Sequence, residues 1–289
     1  MILRRLVNVF EKHLPTVVQY YGKVLLRRVR LMNRTLYSSE VSYIKYLLEK
    51  ILDESNKYYF VDIGASDGIL NSNTYDLAIN KWFGISIEGN ATKYKVLNKT
   101  LTGTNVKPIN QFIYSPNITE ILKNSGCQRV FDFLSLDIDS FEYSVLNKIL
   151  IDFQPRLICV EINERFPPPL VFYVEESADS SCLKDAFYGM SLQAAYEVFK
   201  RHDYKIIGLH YNNVYAVPSS TNIEEMDTVK CYKDGYLNAQ FRERYFYWNK
   251  PYNFLLELSP YQILNFFDQE FAALKAYYRL YIKNSNNPS

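Results

Sequence analysis

The sequence predicts an α/β fold built on a doubly wound, seven-stranded sheet. Three observations carry that expectation. Short runs rich in β-branched and aromatic residues recur at 58–63, 82–87, 105–109, 130–136 and 156–160. Segments with helical spacing separate them, which is the alternation of a parallel sheet. After the fifth run the pattern changes to a helix, then two runs at 205–209 and 213–217 joined by a tight turn, so the last strand should run antiparallel. Such a Rossmann-like domain occupies 57–218, with N-terminal helices over 1–56 and an aromatic-rich helical extension over 219–289.

The first 34 residues read as helix in two pieces broken at Pro15. Leu3, Leu6, Val7, Phe10 and Leu14 fall at helical spacing before the proline. After it, Lys23, Arg27, Arg30 and Arg34 recur at i, i+4, i+7 and i+11, a basic face beside Val18, Tyr21, Leu25 and Val29. Eight basic residues against Glu11 give residues 1–34 a charge of +7, while the rest, 25 basic and 30 acidic, carries −5. Two outcomes are expected of this arm. It lies on an anionic membrane as a peripheral contact, or it packs on the body or a partner with its arginines in water. A body of negative balance argues against nucleic acid as a partner. A second helix over 39–53 should cover the sheet with Val41, Ile44, Leu48 and Ile51.

The stretch 58–90 organises the chain. Its first strand ends in Gly64-Ala65-Ser66-Asp67-Gly68, a small-residue turn where the backbone can approach a ligand closely, with a helix N-terminus beyond it. The second strand ends in Glu88-Gly89-Asn90, and a carboxylate there can accept both hydroxyls of a ribose. The glycine spacing is not GxGxxG, and Asp62 would repel a pyrophosphate. A cationic, ribose-bearing ligand fits better, and S-adenosylmethionine has an ammonium, a sulfonium and a ribose. Asp62-Ile63-Gly64 through Gly68 resembles motif I of class I methyltransferases, with Glu88 as the ribose acid and Asn110 or Gln111, at the tip of the third strand, in the adenine-contacting position.

Helix over 91–101 and a helix including 119–123 lead to the fourth strand, 130–136, which delivers Asp137-Ile138-Asp139 at its end. Helix 142–149 and strand 156–160 follow, ending in Glu161-Ile162-Asn163. The segment 164–188, with Pro167-Pro168-Pro169, reads as irregular, a lid or a disordered loop. Helix 191–202 precedes the final hairpin, and 259–281 reads as one amphipathic helix started by Pro260.

Asp62, Glu88, Asp137, Asp139, Glu161 and Asn163 are thus expected at the carboxyl ends of strands, where open α/β sheets bind ligands. Leu136-Asp137-Ile138-Asp139-Ser140-Phe141-Glu142 resembles the FkbM-type methyltransferase signature, an Asp, an acid, a small residue and a Glu; that family usually has Gly where this chain has Ser140. Asp62–Gly68, Ser72-Asn73-Thr74, Ile87-Glu88 and Val160–Asn163 followed by prolines are similar to the same family, and the resemblance covers roughly 58–217. It implies O-methylation, commonly of sugar hydroxyls in polysaccharides, glycolipids or natural products. Asp62, Gly64, Ala65, Ser66, Gly68, Glu88, Gly89, Asn110 and Asp137 are then the expected cofactor contacts. Asp137 or Asp139 can serve as general base or help a metal lower the hydroxyl pKa. Asp137 or Asp139, with Glu161 and Asn163, also resembles the metal triad of catechol- and macrocin-type O-methyltransferases, an oxygen set suited to Mg²⁺. The competing expectation is that Asp139 and Glu142 cap the next helix. His210, after the sixth strand, is a further base candidate, while His13 and His202 read as structural.

Two rival functions remain. Gly64-Ala65-Ser66-Asp67-Gly68 also satisfies GxSxG, and Ser66, Asp139 and His210 have the chain order of a hydrolase triad. Too few strands precede the turn for that fold. The other rival is a non-catalytic cofactor-binding or assembly subunit. Cys127, Cys159, Cys182 and Cys231 are widely spaced and expected to be reduced thiols. No run approaches the roughly 20 apolar residues of a membrane span, and residues 11 and 12 are charged where a signal peptide needs its apolar region, so a cytoplasmic location is expected.

Overall fold

The computed structural model describes residues 15–32, 36–53, 57–177, 183 and 186–283. The expected helix over 1–14, Arg34 and Cys182 lie outside them. The chain divides into two compact units, Met1–Phe112 and Ile113–Ser289. Seven strands form one mostly parallel sheet in the order 3-2-1-4-5-8-7, and a two-stranded sheet pairs the sixth with the ninth.

The first unit contains α1 (Thr16–Met32), α2 (Leu36–Ile51), β1 (Tyr59–Ile63), α3 (Tyr75–Ile79), β2 (Phe83–Ile87), α4 (Ala91–Thr100) and β3 (Asn105–Ile109). The three strands are parallel, with Ile63 opposite Ile87 and Ile87 opposite Ile109, so their carboxyl ends are level. Phe60, Val61, Ile63, Ile85 and Ile87 are completely buried. That burial explains the near-continuous apolar runs, since a strand covered on both faces has no polar side to alternate with. Asn90 starts α4 by accepting the amides of Thr92 and Lys93 with its side chain.

Two residues of the basic face expected on α1 turn into the unit. Lys23 donates from Nζ to Asp67 Oδ2 at 2.8 Å. Arg27 is 2% exposed and donates to the Ile69 carbonyl at 2.6 Å and to Asp76 Oδ2 at 3.0 Å, with its guanidinium 4.4 Å from the Tyr75 ring centroid. Two of the four residues on the anticipated basic face are therefore committed inside the unit, and neither is an arginine in water. The outward residues are apolar: Tyr21 and Leu25 are each 64% exposed, with Val17, Val18 and Leu26 beside them. The hydrophobic stripe was the natural candidate for the inner face, but two acids, Asp67 and Asp76, decided the rotation.

The second unit contains α5 (Ser115–Asn124), β4 (Val130–Leu136), α6 (Glu142–Asp152), β5 (Gln154–Glu161), β6 (Leu170–Val174), α7 (Leu192–Arg201), β7 (Tyr204–His210) and β8 (Asn213–Pro218). Strands β4 and β5 are parallel, and β8 runs antiparallel to both β5 and β7, as the short turn requires. Beyond β8 come α8 (Thr228–Tyr232), a π-helical turn at Lys233–Leu237, α9 (Arg242–Tyr245), a 3₁₀ segment at Tyr247–Glu257, α10 (Pro260–Glu270), another at Ala272–Tyr277, and β9 (Tyr278–Ile282).

Two expectations are corrected here. The segment 164–188 is not wholly irregular, because Leu170–Val174 is a strand paired antiparallel with Tyr278–Ile282. The helix expected over 259–281 ends at Glu270, and its last residues form that partner strand. Phe166, Phe172, Phe187, Phe267, Phe271 and Tyr278 close into one buried cluster, with Phe166 stacked on Phe172 at 3.9 Å. The aromatic density of the chain's end is thus the core that joins the extension to the middle of the sequence.

Candidate active site

In the first unit, β1 ends in a turn whose backbone is left-handed at Gly64, Ser66 and Gly68. At Gly68 an added Cβ would lie 2.6 Å from Leu97 Cδ1, so both backbone conformation and helix packing require glycine. Glu88, at the tip of β2, holds the turn in place. Its Oε2 accepts the Ser66 amide at 2.9 Å and its Oε1 accepts the Asn90 amide at 2.6 Å. Each carboxylate oxygen retains further acceptor capacity, which is what ribose hydroxyls need. Asp62 accepts the Thr74 hydroxyl at 2.6 Å. Asn110 donates to the carbonyls of Glu88 and Gly89 at 2.7 and 3.2 Å, bracing the β2 tip. Next to it, Phe112 is 63% exposed, and its ring lies so close to Gly89 that a Cβ there would sit 2.5 Å from Cδ1. A flat aromatic ring standing over a glycine is a platform for a planar base. The turn, the acid and the platform fit S-adenosylmethionine.

In the second unit, Asp137, Asp139 and Glu161 bring one oxygen each to within 4.8 Å of one another. Asp139 is left-handed, at φ 53°, a conformation Asp tolerates better than most residues. Buried Glu142 supports this loop, accepting the Ile138 amide at 2.9 Å and the Ser140 amide at 3.2 Å. Burial pushes the Glu142 carboxyl up to about 7 despite those amides. Glu161 is raised well above the ordinary carboxylate range, by burial first and then by Asp137 and Asp139. Its Oε1 accepts from Asn212 Nδ2 at 2.5 Å. Three carboxylates form a hard oxygen set that suits a divalent cation.

Asn163, the remaining residue of the expected triad, is completely buried, with Nδ2 donating to the carbonyls of Ala186 and Tyr188 at 2.9 and 3.0 Å and Oδ1 accepting the Arg165 amide at 3.3 Å. It braces the 186–188 segment, and both Asp137 and Asp139 stand with Glu161. His210 closes β7 edge-on to Tyr211, and burial lowers its pKa to about 4. A nitrogen of so little basicity is a poor general base at neutral pH, whether for a hydroxyl acceptor or for Ser66.

A cleft of about 550 Å³ opens beside the acids, lined among others by Asp139, Glu161, Asn212, Arg165, Tyr188 and Tyr252. His210 is not among its lining residues. Trp248 and Pro251 complete the wall from the C-terminal extension. Sequence reasoning missed Arg165 and Tyr188, although Arg165 lies two residues beyond the expected Glu161–Asn163 strand end; Trp248 belongs to the aromatic-rich extension.

No family model matches the chain, and no curated protein matches it. Solved structures do. A fibrillarin/Nop5p complex matches at 16% identity over 64% of this chain and 82% of that one, with a TM-score of 0.40. The N-terminal domain of EvdMO1 in the presence of SAH and D-fucose matches at 12% identity over 62% and 82%, with a TM-score of 0.38. A precorrin-6y C5,15-methyltransferase from Geobacter metallireducens matches at 13% identity over 60% and 85%, with a TM-score of 0.37. Identities this low bear on the fold alone.

Proposed function

We propose that the protein is an S-adenosylmethionine-dependent O-methyltransferase acting on a sugar hydroxyl of a glycan, glycolipid or natural product, in the manner of the FkbM-type enzymes that residues 58–217 resemble. The observation that carries this reading is Glu88. A carboxylate at the tip of β2 grips the amide of a glycine-rich turn after β1, beside an exposed aromatic ring, in a sheet of order 3-2-1-4-5-8-7. Bound there, the cofactor supplies a methyl group on a sulfonium. Glu88 would hold the ribose, Phe112 and Gly89 would receive the adenine, and Asp62 would meet the ammonium.

The acids of the second unit deal with the acceptor. Asp137 or Asp139, both exposed, accepts the hydroxyl proton as the new C–O bond forms. Glu161, whose pKa burial and then its acidic neighbours raise, lines the cleft beside them and offers the acceptor a hydrogen-bonding partner. If a divalent cation takes part, Asp137, Asp139 and Glu161 are the residues that hold it, and it would lower the pKa of the acceptor hydroxyl. Alignment of oxygen and methyl supplies much of the rate, up to about 7–11 kcal/mol in well-oriented systems.

Calorimetry with S-adenosylhomocysteine tests the cofactor assignment. Binding should weaken at least about tenfold in Glu88→Ala and in Asp62→Ala, the loss expected for hydrogen bonds to a charged group. Unchanged affinity in both folded variants overturns it, and preferential binding of NAD redirects it.

A further inference from the structure

The cleft of the second unit contains a buried guanidinium whose hydrogen-bonding capacity is largely unused among the described residues. Arg165 is 8% exposed and lines the cleft. Its guanidinium stands 5.6 Å from the Tyr188 ring centroid and 5.3 Å from that of Tyr252. It donates one long hydrogen bond, Nη1 to the Tyr188 hydroxyl at 3.3 Å, and its Nε is buried without an acceptor. Among the described residues no ion pair reaches it, although eleven ion pairs occur elsewhere. The adjacent Glu164 accepts from Asn249 Nδ2, its carbonyl accepts the Tyr232 hydroxyl at 2.6 Å, and its other carboxylate oxygen is buried without a hydrogen-bond donor. Burial raises its pKa and the Arg165 charge lowers it, so Glu164 answers Arg165 through space and leaves the guanidinium donors unfilled.

A guanidinium has five donors in a rigid fork matched to a carboxylate or phosphate. Desolvating it with one weak partner is unfavourable unless an anion completes the set. Flanking tyrosines hold the fork still, so little side-chain entropy is lost when that anion arrives. The remaining walls tell what else the ligand carries. Trp248, Tyr252 and Pro251 offer flat apolar surface, against which the C–H face of a pyranose packs, while Asn212 and Asp139 offer partners for hydroxyls. Asp139 and Glu161 would repel an anionic group brought to their end. The ligand therefore enters one way round, with its anion at Arg165 and a hydroxyl at the acids.

We propose that the acceptor is an anionic saccharide, a sugar bearing a carboxylate or a phosphate, whose anionic group is held by Arg165 and whose ring lies against Trp248 and Tyr252. The inference rests on the methyltransferase reading for what is done to the sugar, but not for the binding itself. The test compares charged and neutral sugars of the same ring by calorimetry: D-glucuronic acid against D-glucose, D-galacturonic acid against D-galactose, and D-glucose 6-phosphate as the phosphate arm. A charge-assisted contact should favour the anionic member about 10-fold to 100-fold, with the preference shrinking as salt rises. The stronger arm tells carboxylate from phosphate. Arg165→Met should bring the ratio close to one with the thermal midpoint and S-adenosylhomocysteine affinity retained, and Arg165→Lys should keep part of it. Should Arg165→Met fail to fold, the wild-type ratio and Arg165→Lys decide. The assignment is overturned if no anionic sugar binds the wild type more tightly than its neutral partner, or if folded Arg165→Met keeps the full preference. Loss of S-adenosylhomocysteine binding with an intact anionic preference would instead remove the methyltransferase reading and leave Arg165 in its role.

Discussion

Replacing Arg27 by Met should unfold the first unit far more readily than its place in a basic helix would suggest. Three interactions are lost together. The Ile69 carbonyl, buried and bonded at 2.6 Å, is left without this donor, which costs about 1–3 kcal/mol. The pair with Asp76 is lost as well, but the Asp76 side chain is 33% exposed, so solvent screening holds that contribution to about 1 kcal/mol. Stacking over Tyr75 adds about 0.5–1 kcal/mol, while Met retains most of the packing of the stem. The expected loss is about 3–4 kcal/mol, or a fall of about 1.5–2 M in the urea midpoint for an m-value of about 2 kcal/mol/M. Trp82, stacked on Tyr58 at 4.7 Å, reports the first unit by fluorescence once Trp248 is replaced by Phe in the background. Lys45, in an ion pair exposed on both sides, is the control, and Lys45→Met should shift the midpoint by less than about 0.3 M. A shift in Arg27→Met no larger than the control, accompanied by weaker binding to anionic vesicles, would refute the burial argument and restore the membrane face.

Glu142 is raised to about 7 by burial, so the folded state holds its proton more tightly than the unfolded chain does. Its stabilising contribution is complete below about pH 4.5 and is lost as pH rises through 7. Glu142→Gln should gain on the wild type by up to about 3 kcal/mol between pH 5 and pH 8, and an equal offset at both pH values in urea unfolding would contradict the shift. In Gly89→Ala the new Cβ meets the Phe112 ring at 2.5 Å, and that exposed ring can swing away. Stability should hold within about 1 kcal/mol while S-adenosylhomocysteine affinity drops several-fold; unchanged affinity would remove Phe112 from the cofactor site. If the three carboxylates hold a cation, Mn²⁺ added to the protein should show a bound electron paramagnetic resonance signal that Asp137→Asn weakens, and an unchanged signal excludes this cluster.

Much of the fold was legible because its strands are buried on both faces. The run at 130–136 matches β4, the third run matches β3, and the acids at 62, 88, 137, 139 and 161 all fall at strand ends. Helix boundaries were less sharp, as at α6, which runs on to Asp152. What failed depended on long-range pairing. Leu170–Val174 is a five-residue strand after three prolines, and only its partner at 278–282 makes it one. The rotation of α1 hinged on Asp67 and Asp76, some 40 residues away, whose pull on two cations outweighed burial of Tyr21 and Leu25. Asn163 matched a ligand position by type and spacing, yet one amide reaching two carbonyls outweighed that role.

The concern raised by Ser140 also resolves at the backbone. The left-handed residue of the loop is Asp139, and Ser140 is not among the positive-φ positions, so no glycine is required there. Glu142 accepts the amides of Ile138 and Ser140 and so braces the loop in which the two aspartates leave β4.

Residues 219–283 shape the cleft of the second unit as well as enlarging the core. Tyr232 and Asn249 fasten Glu164, Tyr252 stacks beside Arg165, and Trp248 and Pro251 line the opening. Strand β9 then locks the same connection by pairing with β6. The β5–β6 connection that presents Arg165 is therefore held by the extension at three places, and none of those contacts involves the 64–68 turn. On the proposed function, the turn and Glu88 would serve the cofactor while residues 248, 251 and 252 would set the acceptor. Substituting Trp248 by Ala should accordingly weaken sugar binding and leave S-adenosylhomocysteine binding intact. A Trp248→Ala protein that loses both in equal measure would show that the extension supports the whole fold rather than the acceptor cleft.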